Sequence, residues 1–262
     1  MVATSPTRTP FSLSAFLISD GPAGFLLSWV AGFVDTSAFI ILFGIFTAHV
    51  TGNIALAGSS FVDADTETTI TRLVMLPVFM LVVALTSLLA RLARRKNWSV
   101  FAVLLTAEAI ALANFLVVGN LFSPSLLLDV QEEYILPIAV SGVIAMAIQN
   151  ALMKEAKGVF KSYIPTTVMT GNTTQLTLDI VQFTLAKFSP KTTESEAEAA
   201  EAAERMSRFI PTILGFGLGG LAAAYFVLAT ETWWSLVFPL VVIIILAIAA
   251  FVDHSRGTSA TA

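Results

Sequence analysis

Apolar residues along this chain gather into blocks of about twenty separated by short polar stretches, the length of α-helix needed to cross a hydrocarbon core of about 30 Å. Six blocks have the length and apolarity of complete spans: 24–46, 73–93, 98–121, 135–153, 209–230 and 233–252. Runs such as 236–251 are apolar on every face. That excludes a membrane β-barrel, whose strands alternate over roughly ten residues.

Two further segments are ambiguous. Residues 48–62 make a helix of only about 22 Å at 1.5 Å per residue, too short to span. This segment reads as re-entrant. Residues 166–188 are long enough, but Thr, Gln and Asp recur through Thr173–Gln182, so the pattern is amphipathic rather than lipid-facing.

Composition agrees with the pattern: 56% of residues are hydrophobic and 12% charged, against the roughly one-quarter charged content of soluble domains. The net charge of −4 and the lack of a basic, aromatic-laced patch point away from nucleic acid. With no cysteine, disulfides, thiolate metal sites and a thiol nucleophile are excluded.

Charge placement decides between six and eight spans, because cytoplasmic loops carry the excess of Lys and Arg. With six spans and both termini inside, 13 of the 14 basic residues, from Arg8 and the Arg91–Lys96 group to Arg256, fall inside and Arg72 alone outside. With eight spans they divide 7 and 7. The acidic residues Asp63, Asp65, Glu67, Asp129, Glu132, Glu133 and Glu231 then lie outside. The sequence therefore predicts a six-span, multi-pass protein of the cell membrane with cytoplasmic termini.

One short pattern occurs twice, 119 positions apart: His49–Asn53 (HVTGN) and Val168–Asn172 (VMTGN). Each follows a long span, opens a short helical segment and is followed by two complete spans. An odd number of crossings per half makes the halves inverted, a recurrent transporter architecture with broken helices near the midplane. The chain divides into a tail (1–22), a first membrane repeat (23–121), a second (135–252) with an acidic cytoplasmic linker (189–207), and a second tail (253–262). The fold class is an all-α membrane protein of about six helices in two inverted three-helix repeats, each with a TGN-containing re-entrant or broken helix.

The residue types suit such a place. Gly52 and Gly171 permit a sharp entry, while Thr51, Asn53, Thr170 and Asn172 can cap the N–H groups open at a helix start. A helix N-terminus aimed inward favours an anionic or strongly dipolar solute. Asp35, eleven residues into the first span, pulls the other way, since a midspan carboxylate costs about 2.5–3.5 kcal/mol on insertion scales and needs a partner or a purpose. Its counterpart in the second half is Gln149 or Asn150. His49 and Glu108 join Asp35 as candidates for proton coupling. Asp179 ranks lower, near the inner interface.

The segments Ala31–Asp35, Ala48–Asn53, Ile148–Ala151 and Thr166–Asn172 resemble the YoaK-like family of bacterial membrane proteins, a resemblance covering nearly the whole chain. It implies a bacterial inner-membrane protein of about six helices and supplies no substrate.

Three further expectations complete the reading. Gly215, Gly219 and Ala223, four apart, form a stripe for close packing, either within the chain or between copies of it. Trp29, Trp98, Trp233 and Trp234 lie mostly near span ends, as interfacial anchors do. With no H-E-x-x-H, no G-x-S-x-G and no ligand cluster, an enzyme or resident cofactor is not expected. A small-solute permease is the leading function, with a non-transporting scaffold behind it.

Overall fold

The computed structural model describes residues 12–123, 132–156, 158–160, 164–190 and 192–260. Arg8, Asp129, Lys157, Lys161 and Lys191, which entered the charge argument, lie outside these residues. Among the described residues the chain is helical, with no strand. In order come α1 (Leu13–Leu17), α2 (Asp20–Ile41), α3 (Val50–Val62), α4 (Thr66–Arg95), α5 (Val100–Phe122), α6 (Glu132–Glu155), α7 (Met169–Phe188), α8 (Thr193–Thr230), a 3-10 turn (Trp233–Leu236) and α9 (Val237–Ala260).

Six of these helices, α2, α4, α5, α6, α8 and the last with its preceding turn, are long and apolar enough to cross a membrane. α3 is apolar but has 13 residues. Large apolar side chains cover the outside of the bundle, among them Met80, Leu81, Leu85 and Leu88 on α4 and Leu214, Leu221, Tyr225 and Leu228 on α8. Such a surface suits lipid, not water.

Local signals set the helix ends. Asp65, Ser99 and Thr192 cap α4, α5 and α8 through their side chains, Thr192 in a reciprocal pair with Ser195. The first span is shorter than its apolar run: it ends at Ile41, and Phe43 and Gly44 take positive φ angles of 52° and 83° that turn the chain back. Periodicity alone carried that span to 46. The acidic linker 189–207 is not a separate connector, because from Thr193 it is the first part of the 38-residue α8.

Packing has a paired order. α2 lies along α8 and α4 along α6; α3 packs on α4 and α7 on α8; α5 packs on both α6 and α9, and α2 touches α6 and α9. The α2–α8 contact is the closest. A Cβ added to Gly32, Gly215 or Gly219 would collide with the backbone carbonyl of Phe216, Phe25 or Trp29. The stripe Gly215, Gly219, Ala223 is thus filled by α2 of the same chain and offers no free face to a second copy. Trp233 also departs from expectation: rather than anchoring at an interface it is fully buried against Phe115 and Gly119 and donates its indole N–H to Ser123 O at 2.9 Å. Trp98 and Trp234 are exposed near helix ends.

Candidate functional site

Buried polar groups gather at two breaks in the helical chain. The first, residues 42–49, leads from α2 into α3; the second, 164–168, leads into α7. Both bend at matching places, Thr47–Ala48 and Thr166–Thr167, each followed by one non-helical residue, His49 or Val168, at the helix start.

At the first break the carboxylate of Asp35, 3% exposed, holds the returning chain. Its Oδ1 accepts the backbone N–H groups of Thr47 and Ala48, each at 2.7 Å, and the Thr47 hydroxyl at 3.3 Å. Its Oδ2 lies 2.6 Å from His49 Nδ1. Two backbone donors and an imidazole replace the water that a buried carboxylate gives up. His49, half-buried, meets Phe46 and Phe216 edge-on, which ties the break to α8. Asn53 reaches back seven residues: its Oδ1 accepts the N–H of Phe46 at 2.8 Å and its Nδ2 donates to Phe46 O at 2.7 Å.

The second break repeats this with neutral groups. Asn172 Nδ2 donates to Pro165 O at 2.7 Å, again seven residues back; proline has no N–H, so the other half of the clasp cannot form. The Thr167 hydroxyl donates to Asn150 Oδ1 at 2.6 Å, and Gln149 Nε2 donates to Thr166 Oγ1 at 3.1 Å and to Leu27 O at 2.6 Å. Gln149 and Asn150 both do for the second break what Asp35 does for the first. Asn150 stands 115 positions after Asp35, as Pro137 of α6 stands 115 after Pro22 of α2.

Several expected roles change. Neither TGN motif caps its own helix: the N-cap residues are His49 and Val168, without side-chain cap bonds, because Asn53 and Asn172 point back at the preceding turn. Thr51, Thr170 and Gly171 are exposed and take no part in the buried network. Gly52 is tightly fitted, since a Cβ there would stand 3.0 Å from the Phe46 ring and the ring would have to give way, whereas Gly171 has open space around it. The two helix starts share no hydrogen bond among the described residues; each is held by its own upstream helix.

Each short helix is tethered to the next long one. In the first half Thr69 donates to Ser60 at 3.0 Å and Arg72 to Leu56 O at 2.9 Å. In the second Arg205 meets the buried Asp179 at 2.8 Å and Gln182 at 2.7 Å. Asp179 therefore has a structural partner that a position near a helix end did not foretell.

A cavity opens beside each break. One, of about 290 Å³, is lined by Ile45, Glu67, Thr68, Thr71 and Glu133. The other, of about 530 Å³, is lined by Ile164, Gln175, Glu201, Glu204, Arg205 and Arg208. Ile45 and Ile164 are again 119 positions apart.

Glu108 stands apart from both breaks. It is fully buried in α5, and neither carboxyl oxygen has a partner among the described residues.

A family model described as "Protein of unknown function (DUF1275)" matches residues 23–249, nearly all of the described helices. The chain belongs to the DUF1275 family. No curated protein and no solved structure matches it. The family match places this DUF1275 chain in an uncharacterised family, in line with the class implied by the YoaK-like resemblance; that label is no part of the family's description.

Sequence reasoning missed Thr47, Thr166 and Thr167. The signal was available: aligning FTAHVTGN with PTTVMTGN carries the repeat four residues upstream of the motif, to the threonines that Asp35, Gln149 and Asn150 hold.

Proposed function

We propose that this chain is a small-solute permease of the bacterial inner membrane, built from two inverted halves whose broken helices enter from opposite faces. The observation that carries this reading is the duplicated break. The same bend and an asparagine reaching seven residues back recur at 119-residue spacing, and a polar anchor on the upstream helix recurs at 115, from Asp35 to Asn150. Packing supports inversion. α2 and α6 align antiparallel, with Leu27 at Gln149 and Thr47, held by Asp35, against Gly142. The α2–α8 contact has its counterpart in α6–α4.

Irregular backbone at membrane depth is tolerated where protein covers it or where it lines a water-filled path. On this reading the cavities beside the breaks are the two vestibules, and the fully buried core of the bundle, which includes Phe33 and Phe115, corresponds to an occluded state. Solute class follows from charge. The Thr47 and Ala48 N–H groups of the first break are already taken by Asp35, and Glu67 and Glu133 line one vestibule. A neutral polar or cationic solute fits better.

The test is a panel of neutral and cationic polar solutes screened against purified protein for a thermal shift, each hit then measured for uptake into proteoliposomes. The account expects uptake that falls at least tenfold in folded Asp35→Asn and Asn53→Ala. Uptake unchanged in both variants would overturn the assignment of the site.

One observation favours a non-transporting scaffold: every oxygen of Asp35 is satisfied by its own chain, as a structural aspartate's would be. On that reading Asp35→Asn lowers stability, and the whole panel gives neither shift nor flux.

A further inference from the structure

α5 and α6 run antiparallel in a register fixed at two points: the Phe115 ring lies against Gly142, and Phe122 stacks on Tyr134 with centroids 5.2 Å apart. Continuing that register along α5 brings Glu108 level with Gln149. Gln149 in turn donates to Leu27 O, beside Ser28 of α2. Glu108, Gln149 and Ser28 therefore share one level of the bundle, and each is fully buried.

Their free atoms are all oxygens that can accept, the Ser28 hydroxyl being a donor as well. Both Glu108 carboxyl oxygens, Gln149 Oε1 and Ser28 Oγ are buried without a hydrogen-bond partner among the described residues. The Gln149 amide nitrogen is already spent on Leu27 and Thr166, so its oxygen is what remains. Among the described residues no basic side chain lies at this level. The charged groups on the neighbours of α5 sit towards helix ends: Glu67, Arg72, Arg91, Arg94 and Arg95 on α4, Glu133, Lys154 and Glu155 on α6, and Asp253, His254 and Arg256 on α9. On α2, Asp20 is at the start and Asp35 is engaged by the first break.

We propose that Glu108, with Gln149 and Ser28, forms a monovalent-cation site that takes up a proton or a sodium ion inside the bundle. A carboxylate, an amide oxygen and a hydroxyl oxygen can all turn lone pairs toward such a cation, and an unpaired carboxylate away from water is otherwise strongly unfavourable. Gln149 belongs both to this site and to the second break through Thr166, so cation binding and the geometry of that break are mechanically linked. The proposal deepens the permease reading by supplying a coupling ion, yet binding is measured without any transported solute, so it stands or falls separately from flux.

The experiment has two arms on the full chain in detergent. The first follows thermal unfolding in sodium chloride against choline chloride at fixed ionic strength and pH. The second follows the infrared carbonyl stretch of a protonated carboxyl through a pH titration in choline chloride. A sodium site raises the unfolding midpoint by roughly 5–10 °C at saturating sodium. A proton site gives a carboxyl band that titrates. Either response must vanish in Glu108→Gln and, for sodium, weaken in Ser28→Ala, which leaves the carboxylate in place. Wild-type protein with neither response, or responses that survive intact in folded Glu108→Gln, would overturn the proposal.

Discussion

Asp35 supplies the acceptors for two backbone N–H groups that have no other partner among the described residues, and leaving buried donors unsatisfied costs about 1–3 kcal/mol each. Asp35→Ala should therefore lower stability by several kcal/mol. Asp35→Asn keeps one acceptor and should cost less. A double-mutant cycle with His49→Ala, read by chemical or thermal unfolding, should give a coupling energy of about 0.5–3 kcal/mol, since the two side chains touch at 2.6 Å. Additive effects would show that the contact is incidental. The glycines allow a sharper comparison on one helix. Gly219→Ala should be clearly destabilising, by about 1–3 kcal/mol or more, because its Cβ meets the Trp29 carbonyl, while Gly217→Ala, with open space around it, should be neutral or stabilising.

At the scale of the element, the two short helices look alike in sequence and differ in how they are held. Gly52→Ala should disturb the entry to α3, pressing on Phe46, and Gly171→Ala should leave α7 intact; thermal midpoints of the two variants test this directly. Arg205→Ala should cost about 3–5 kcal/mol, because it leaves the buried Asp179 carboxylate with Gln175 as its remaining hydrogen-bond donor, and Asp179→Asn in the same background should recover part of the loss. Apolar length gave the number of spanning helices, since about twenty apolar residues in succession mean a span whatever their neighbours do. It could not give the end of α2, because the residues that turn back, Leu42 to Phe46, are as apolar as those before them and only Gly44 marks the turn. Asp35 and the TGN motifs stood out because charge, glycine and asparagine are rare in such surroundings. The threonines they hold did not, because a threonine passes unremarked in a membrane helix and only the fold brings Thr47 back to Asp35. Register was equally hidden: nothing local to Trp233 tells that it fills the space over Gly119.

At the scale of the molecule, α2 pairs with α8 and α4 with α6, and a cavity opens beside each of the two breaks; the permease reading takes these as one arrangement used twice. Its asymmetry is chemical. The first half carries the aspartate, the histidine and the buried Glu108, and the second carries the amides Gln149 and Asn150. The permease reading rests on the breaks entering from opposite faces of the membrane. That is best tested by impermeant-maleimide labelling of intact cells expressing single-cysteine variants, made directly because the chain has no native cysteine. Ala64→Cys, at the turn between α3 and α4, should label from outside, and Ser189→Cys, at the end of α7, only after the cells are opened. External labelling at both positions would mean that α7 crosses the membrane, and the inverted account would be contradicted.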